Sequence, residues 1–120
     1  MAYDEGLAAR VREVLGAREP AFEERRMFGG LAFVTGAGMP CGCVGDDLLV
    51  RVGKAGFAAA MERGAHEMDM TGRVMRSMAV VPAGLVASDD DLATWVETGL
   101  AALRTDPPGA RRPGKRPQPS

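Results

Sequence analysis

Cys41, Cys43, His66 and a set of arginines are the residues of this 120-residue chain whose types and spacing could do chemistry. The two cysteines stand two apart, so a strand would carry both thiols on one face. Together with His66, the single histidine, they are three potential zinc ligands. A closed structural zinc site takes four ligands, commonly with a Cys-x-x-Cys knuckle, so a carboxylate would have to complete this one. Nothing in the spacing supports a Cys–His nucleophilic pair, and no helix N-terminus follows the cysteines to depress a thiol pKa. Buried free thiols acting as small hydrophobes are the plainer expectation. His66, beside Glu67 and Asp69, is expected at the surface. A metal- or thiol-dependent protein using Cys41, Cys43 and His66 is the chemical alternative to that plainer account.

The glycines do not have phosphate-loop spacing. In the Walker pattern a glycine and four residues precede Gly-Lys-Ser/Thr. Here Gly53-Lys54 runs into Ala55, and Leu48 stands where the earlier glycine is required. "GAGMPCG" (36–42) misses the dinucleotide spacing by one residue, and no helix follows it. Turn glycines are the ordinary reading. Acidic groups cluster at Asp46-Asp47 and at Asp89 to Asp91, where turn and cap roles account for them.

The arginines hold more interest. Arg26, Arg51, Arg73 and Arg76 sit on or beside expected strands and could converge on one sheet face to bind an anion or an acidic partner. The bland alternative pairs them with Asp46, Asp47, Glu24 and Glu67 at the surface. Four of the eight methionines (Met68, Met70, Met75 and Met78) gather around the last strand, where core filling is their expected use.

The elements that must position these residues follow from periodicity. Asp4 can cap a first helix, with Leu7, Val11, Val14 and Leu15 along one face and Arg10, Arg12 and Glu13 on a solvated one. Gly16 and Pro20 end it. "FEERRMF" (22–28) reads as a strand, Gly29-Gly30 as a bend or bulge, and "GLAFVT" (30–35) as the next strand, with Phe28, Leu31 and Phe33 feeding the core. The turn "GAG" (36–38) leads into "MPCGCV" (39–44), where Pro40 calls for a strand start or an edge. "LLVRV" (48–52) is a strand that Gly53 closes. A short helix over 54–63, a short extended piece or loop at "HEMDM" (66–70), and a strand over 74–82 come next. In the last helix Ser88 and Asp91 imitate a capping box. Its stripe of Leu92, Trp95, Val96, Leu100 and Leu103 includes Gly99, which would permit close approach to a sheet or helix. Antiparallel hairpins with helices on one face give a two-layer α+β domain, with a sheet of five or six strands and N-terminal, middle and C-terminal helices.

Composition bounds the rest. At 46% hydrophobic and 26% charged the chain reads as globular. Of its 15 basic and 16 acidic side chains, four basic and one acidic lie in residues 106–120, leaving 11 and 15 for residues 1–105. The domain (1–105) is therefore mildly acidic. The Pro-rich stretch after it (106–120) is basic and expected to be disordered. That stretch would give weak, salt-sensitive nucleic-acid association at most. No apolar run approaches the roughly 20 residues that span a bilayer. The N-terminus lacks a signal peptide's order and the cysteines are too few for a disulfide framework, so a cytoplasmic protein is expected.

Five segments together, "MAYDEGLAARVREVL", "RRMFGGLAF", "CGCVGDDLLVRVG", "MDMTGRVM" and "DDDLATWV", resemble the TfoX N-terminal domain family, named after the TfoX/Sxy competence regulators. The resemblance covers about residues 1 to 104. It implies a fold similar to secretion-chaperone-like two-layer domains, often a homodimer, with no cofactor and no established catalytic residues. In the full-length regulators this domain precedes a helical one, and the protein supports transcription of DNA-uptake genes. Only 16 residues follow Arg104, so a stand-alone member is expected. Arg26, Arg51 and Arg73 match positions where the family pattern usually carries a basic residue. They are the expected contacts for a protein partner, as yet unidentified, or an anion, in a non-enzymatic interaction domain.

Overall fold

Hydrogen-bonding side chains and one tight glycine set where the elements begin and turn. The computed structural model describes residues 3–27, 29–70 and 73–105, of which 69, 70 and 73–76 as backbone only. Asp4 caps helix α1 (Glu5–Arg18), its carboxylate accepting from the Gly6 N–H at 3.0 Å. Strands β1 (Glu23–Met27), β2 (Gly30–Thr35), β3 (Gly38–Val44) and β4 (Asp47–Arg51) follow, then helix α2 (Gly53–Glu62) and strands β5 (His66–Met70) and β6 (Arg73–Val81). A 3₁₀ turn (Ala83–Val86) leads into helix α3 (Asp89–Thr105), where the Ser88 hydroxyl accepts from the Asp91 N–H at 3.1 Å, as the capping pattern predicts. Between β1 and β2, Gly29 turns the chain at φ 76°, a conformation that costs glycine nothing. Phe28 and the 106–120 stretch lie outside the described residues.

The six strands form one antiparallel sheet in the order β1-β2-β3-β4-β6-β5. Directly opposed residues share a face. Leu31, Cys43, Leu48 and Val81 make one row across β2, β3, β4 and β6, and Phe33, Cys41, Val50 and Ala79 make the next. All eight are buried in one core with Leu7, Val11 and Leu15 of α1, Ala60 of α2, and Leu92, Trp95 and Val96 of α3. The helices thus cover one face of the sheet, the two-layer α+β arrangement expected.

Gly99 fixes how closely α3 lies on that sheet. A Cβ added there would come within 2.2 Å of the Pro40 carbonyl oxygen, so only glycine allows this separation. The expectation of a close approach at Gly99 is met, and the contact is backbone to backbone.

One local expectation is corrected, at Gly53, and two that stood open are resolved. Pro40 is not on an edge strand: β3 is central, and the proline is buried in it. It is tolerated because it precedes the regular ladder. Pairing with β4 begins at Cys41, and the β2 register shifts between Phe33 and Thr35, so no ladder bond is asked of Pro40. Gly53 opens α2 rather than closing β4, with φ 73° just after Val52. "HEMDM" is a full strand, because pairing with β6 supplies the hydrogen bonds that its weak local pattern does not announce.

Candidate interaction edge

β1 is one of the two edge strands of the sheet. All five of its residues are exposed, whereas β2 beside it is buried over Gly30 to Phe33. Its sequence, Glu23-Glu24-Arg25-Arg26-Met27, alternates between the two faces. Glu24 and Arg26 lie on the helix side with Phe33 and Leu31, and Arg25 lies on the other with Ala32. Charged side chains on an edge protect it from indiscriminate pairing.

The charges of β1 are not equivalent. Glu24 is gripped by Arg12 of α1 through a two-pronged ion pair, Nε to Oε2 and Nη2 to Oε1, the latter at 3.0 Å. Those hydrogen bonds hold the Glu24 carboxyl below its usual range, partial burial opposing them. Arg25 pairs with Glu23 on its own strand at 3.2 Å. Arg26 makes no hydrogen bond or ion pair among the described residues. Beside it Met27 is 45% exposed, the one exposed large hydrophobic among the described residues.

The other two arginines expected to contact a partner are placed differently. Arg51 is half-buried and its Nε donates to the Met39 carbonyl at 2.9 Å, holding the start of β3. It pairs with Met78 on the face away from the helices, so Arg26 and Arg51 do not form one patch. The side chains of Arg73 and Arg76 lie outside the described residues; the Arg73 backbone pairs with Met70 at the far end of the sheet. Two of the four carboxylates named as surface partners are otherwise engaged: Glu24 by Arg12, and Asp47 by the Ala83 N–H at 3.2 Å.

The thiol constellation is separated by the sheet itself. Cys41 and Cys43 are free, fully buried and on the helix face. Burial pushes both thiols up, Cys41 strongly with its neighbour Cys43 adding to the effect, and Cys43 to about 12. Both are therefore protonated at neutral pH, which makes them poor nucleophiles. His66 is exposed and pairs with Val80 in the row that runs through Leu49 and Gly42, hence on the opposite face. No group of three or more His, Cys, Asp and Glu able to hold a metal occurs among the described residues.

Sequence patterning missed the polar ties between layers. Arg10 donates to the Val86 and Ala87 carbonyls at 2.9 and 3.3 Å and to Asp89 at 3.2 Å, binding α1 to the start of α3. Arg18 reaches Glu97 at 2.7 Å, and Arg63 lies over the Trp95 ring at 3.6 Å from its centroid. The face of α1 expected to be only solvated therefore carries Arg10 and Arg12 as cross-links. Their partners are remote in sequence, and no local period could announce them. A cleft of about 600 Å³ between α2 and α3, lined by Val52 to Gly56, Thr98 and Thr105, is open and mostly apolar.

The class defined by these features is a two-layer α+β domain that carries an uncommitted arginine on an exposed edge strand. The model of the TfoX N-terminal domain matches residues 13–103, and the chain belongs to that family. No curated protein and no solved structure matches the chain. None of the helices among the described residues is long and apolar enough to cross a membrane.

Proposed function

We propose that the chain is a cytoplasmic, non-enzymatic interaction domain that works by protein contact through the β1 edge, in a transcription- or competence-related role. The observation that carries this reading is Arg26. It stands uncommitted on a fully exposed edge strand beside exposed Met27, while the neighbouring charges are already paired. An edge strand offers main-chain hydrogen bonds for affinity and alternate side chains for specificity. Family membership supports the regulatory direction at the level of the domain. Protonated, enclosed thiols and a histidine across the sheet favour contact over catalysis.

Affinity capture from native lysate tests it, comparing the wild type with Arg26→Glu and with Arg51→Ala. Arg26→Glu is expected to lose the captured partners, transcription components among them, while Arg51→Ala keeps them if it remains folded. Identical partner sets for wild type and Arg26→Glu would refute the reading.

A further inference from the structure

We propose that Asp106 to Ala110 of this chain fold back into the cleft between α2 and α3, with the Asp106 carboxylate at the start of α2. The cleft holds about 600 Å³, with Gly53, Ala55 and Gly56 on one side and Ala101, Ala102 and Thr105 on the other. Small residues make up both walls, so an occupant can approach both helix backbones. Thr105 ends α3 and lines the cleft, so the chain that follows starts at its mouth. A segment tethered this closely meets the cleft at roughly millimolar effective concentration, an advantage over any free partner.

Helix direction supplies the complementary charge. Arg63, just past α2, lies over Trp95 and reaches the Thr98 hydroxyl at 3.5 Å. The start of α2 therefore lies beside the end of α3. Val52 at the α2 N-cap offers no side-chain acceptor, and the first turn holds no acidic residue. That end of the helix carries partial positive charge, to which Lys54 adds. Asp106 is the one acidic side chain of 106–120. Following α3 in sequence, it meets the negative end of that helix, and turning toward α2 reverses the sign of the interaction.

The sequence after Asp106 suits the rest of the cleft. A residue before proline is driven out of the helical region, and Pro107 does this to Asp106. Pro107 and Pro108 favour the polyproline II conformation and lose little entropy on docking. Pro107 to Ala110 would then extend about 12 Å, at about 3.1 Å per residue. The α3 wall from Thr98 to Thr105 is about 10 Å long, at about 1.5 Å per residue. These four residues carry no charge. Arg111 and Arg112 come next, and the far end of the cleft, where Arg63 meets Thr98, is basic too. Like charges therefore limit the docked segment to Ala110, and the expectation of disorder applies beyond it.

Cysteine pairs in the full chain test the placement. Cys41 and Cys43 are buried and free, so the added thiols are the ones that react. Ala55→Cys with Gly109→Cys puts one thiol on the exposed α2 wall and one in the docked segment. Arg104→Cys with Gly109→Cys is the control, because Arg104 is exposed, does not line the cleft and is much nearer in sequence. With diamide as the oxidant taking up the two thiol hydrogens, the Ala55→Cys pair is expected to close within the monomer at least tenfold faster than the control. Equal rates, or a faster control, overturn the proposal. Covalent dimers in place of cross-linked monomers would give the cleft to the segment of a second copy, and overturn it too.

Amide hydrogen exchange reads the cap separately. The Ala55 amide is expected to exchange at least tenfold more slowly in the wild type than in Asp106→Lys. The Val52 amide, which donates to the Ser77 carbonyl at 2.8 Å, is expected to be equally protected in both and reports that the domain is folded. An Ala55 amide that exchanges at the same rate in both removes Asp106 from the start of α2 and overturns the proposal.

Discussion

Gly99 and Gly56 show how the same substitution can take opposite signs at two helical positions. A Cβ at Gly99 would meet the Pro40 carbonyl oxygen at 2.2 Å, and backbone cannot move aside as a flexible side chain can. The helix-propensity gain of alanine over glycine, about 1 kcal/mol, is outweighed by an overpacking cost of about 3 kcal/mol or more. At Gly56 the added Cβ would meet only Val52 Cβ at 3.7 Å, an ordinary contact. Gly99→Ala is therefore expected to lower stability by about 2 kcal/mol or more, and Gly56→Ala to raise it by about 0.5 to 1 kcal/mol. Urea unfolding midpoints of both variants check the pair. The Gly99 contact was legible in the sequence, because a glycine inside a long apolar stripe leaves a gap that a packed neighbour must fill. Arg26 was legible as a candidate too. What set it apart from Arg51 was not, since whether an arginine is already committed depends on which remote groups reach it.

Elements were readable where their pattern is local and obscure where pairing makes them. α3 has its cap and its apolar stripe in one continuous segment, so periodicity finds it. β5 is held by β6 and Pro40 is excused by a register shift in β2, and both facts belong to neighbours rather than to the segment. The link between α1 and β1 is of the same kind. Arg12 holds Glu24 below its usual pKa, so this carboxylate is more acidic folded than unfolded. A depressed folded pKa means that its contribution is fully present above the unfolded value and is lost as pH falls through the lower folded one. Glu24→Gln removes that linkage. The stability gap between wild type and Glu24→Gln is expected to hold constant above about pH 5 and to close as the pH drops below about 4. A gap that widened on acidification would contradict the role given to Arg12.

At the scale of the whole molecule, one face of the sheet is committed to three helices and the thiols are sealed beneath them. The α+β class and the family resemblance were both readable, because each is spread over many residues. The place of β1 at an edge was not, because the order β1-β2-β3-β4-β6-β5 is what leaves it outermost, and strand order is not written in any one segment. The central claim is that this molecule makes its contacts along β1. Amide hydrogen exchange of the full chain, followed residue by residue alone and with a partner captured from native lysate, tests it most directly. The β1 amides not bonded to β2 are predicted to exchange freely in the chain alone and to slow at least tenfold with the partner bound, with the Arg26→Glu variant showing no such slowing. Free exchange along β1 in the complex, with new protection arising instead at β5 or on the helices, would contradict it.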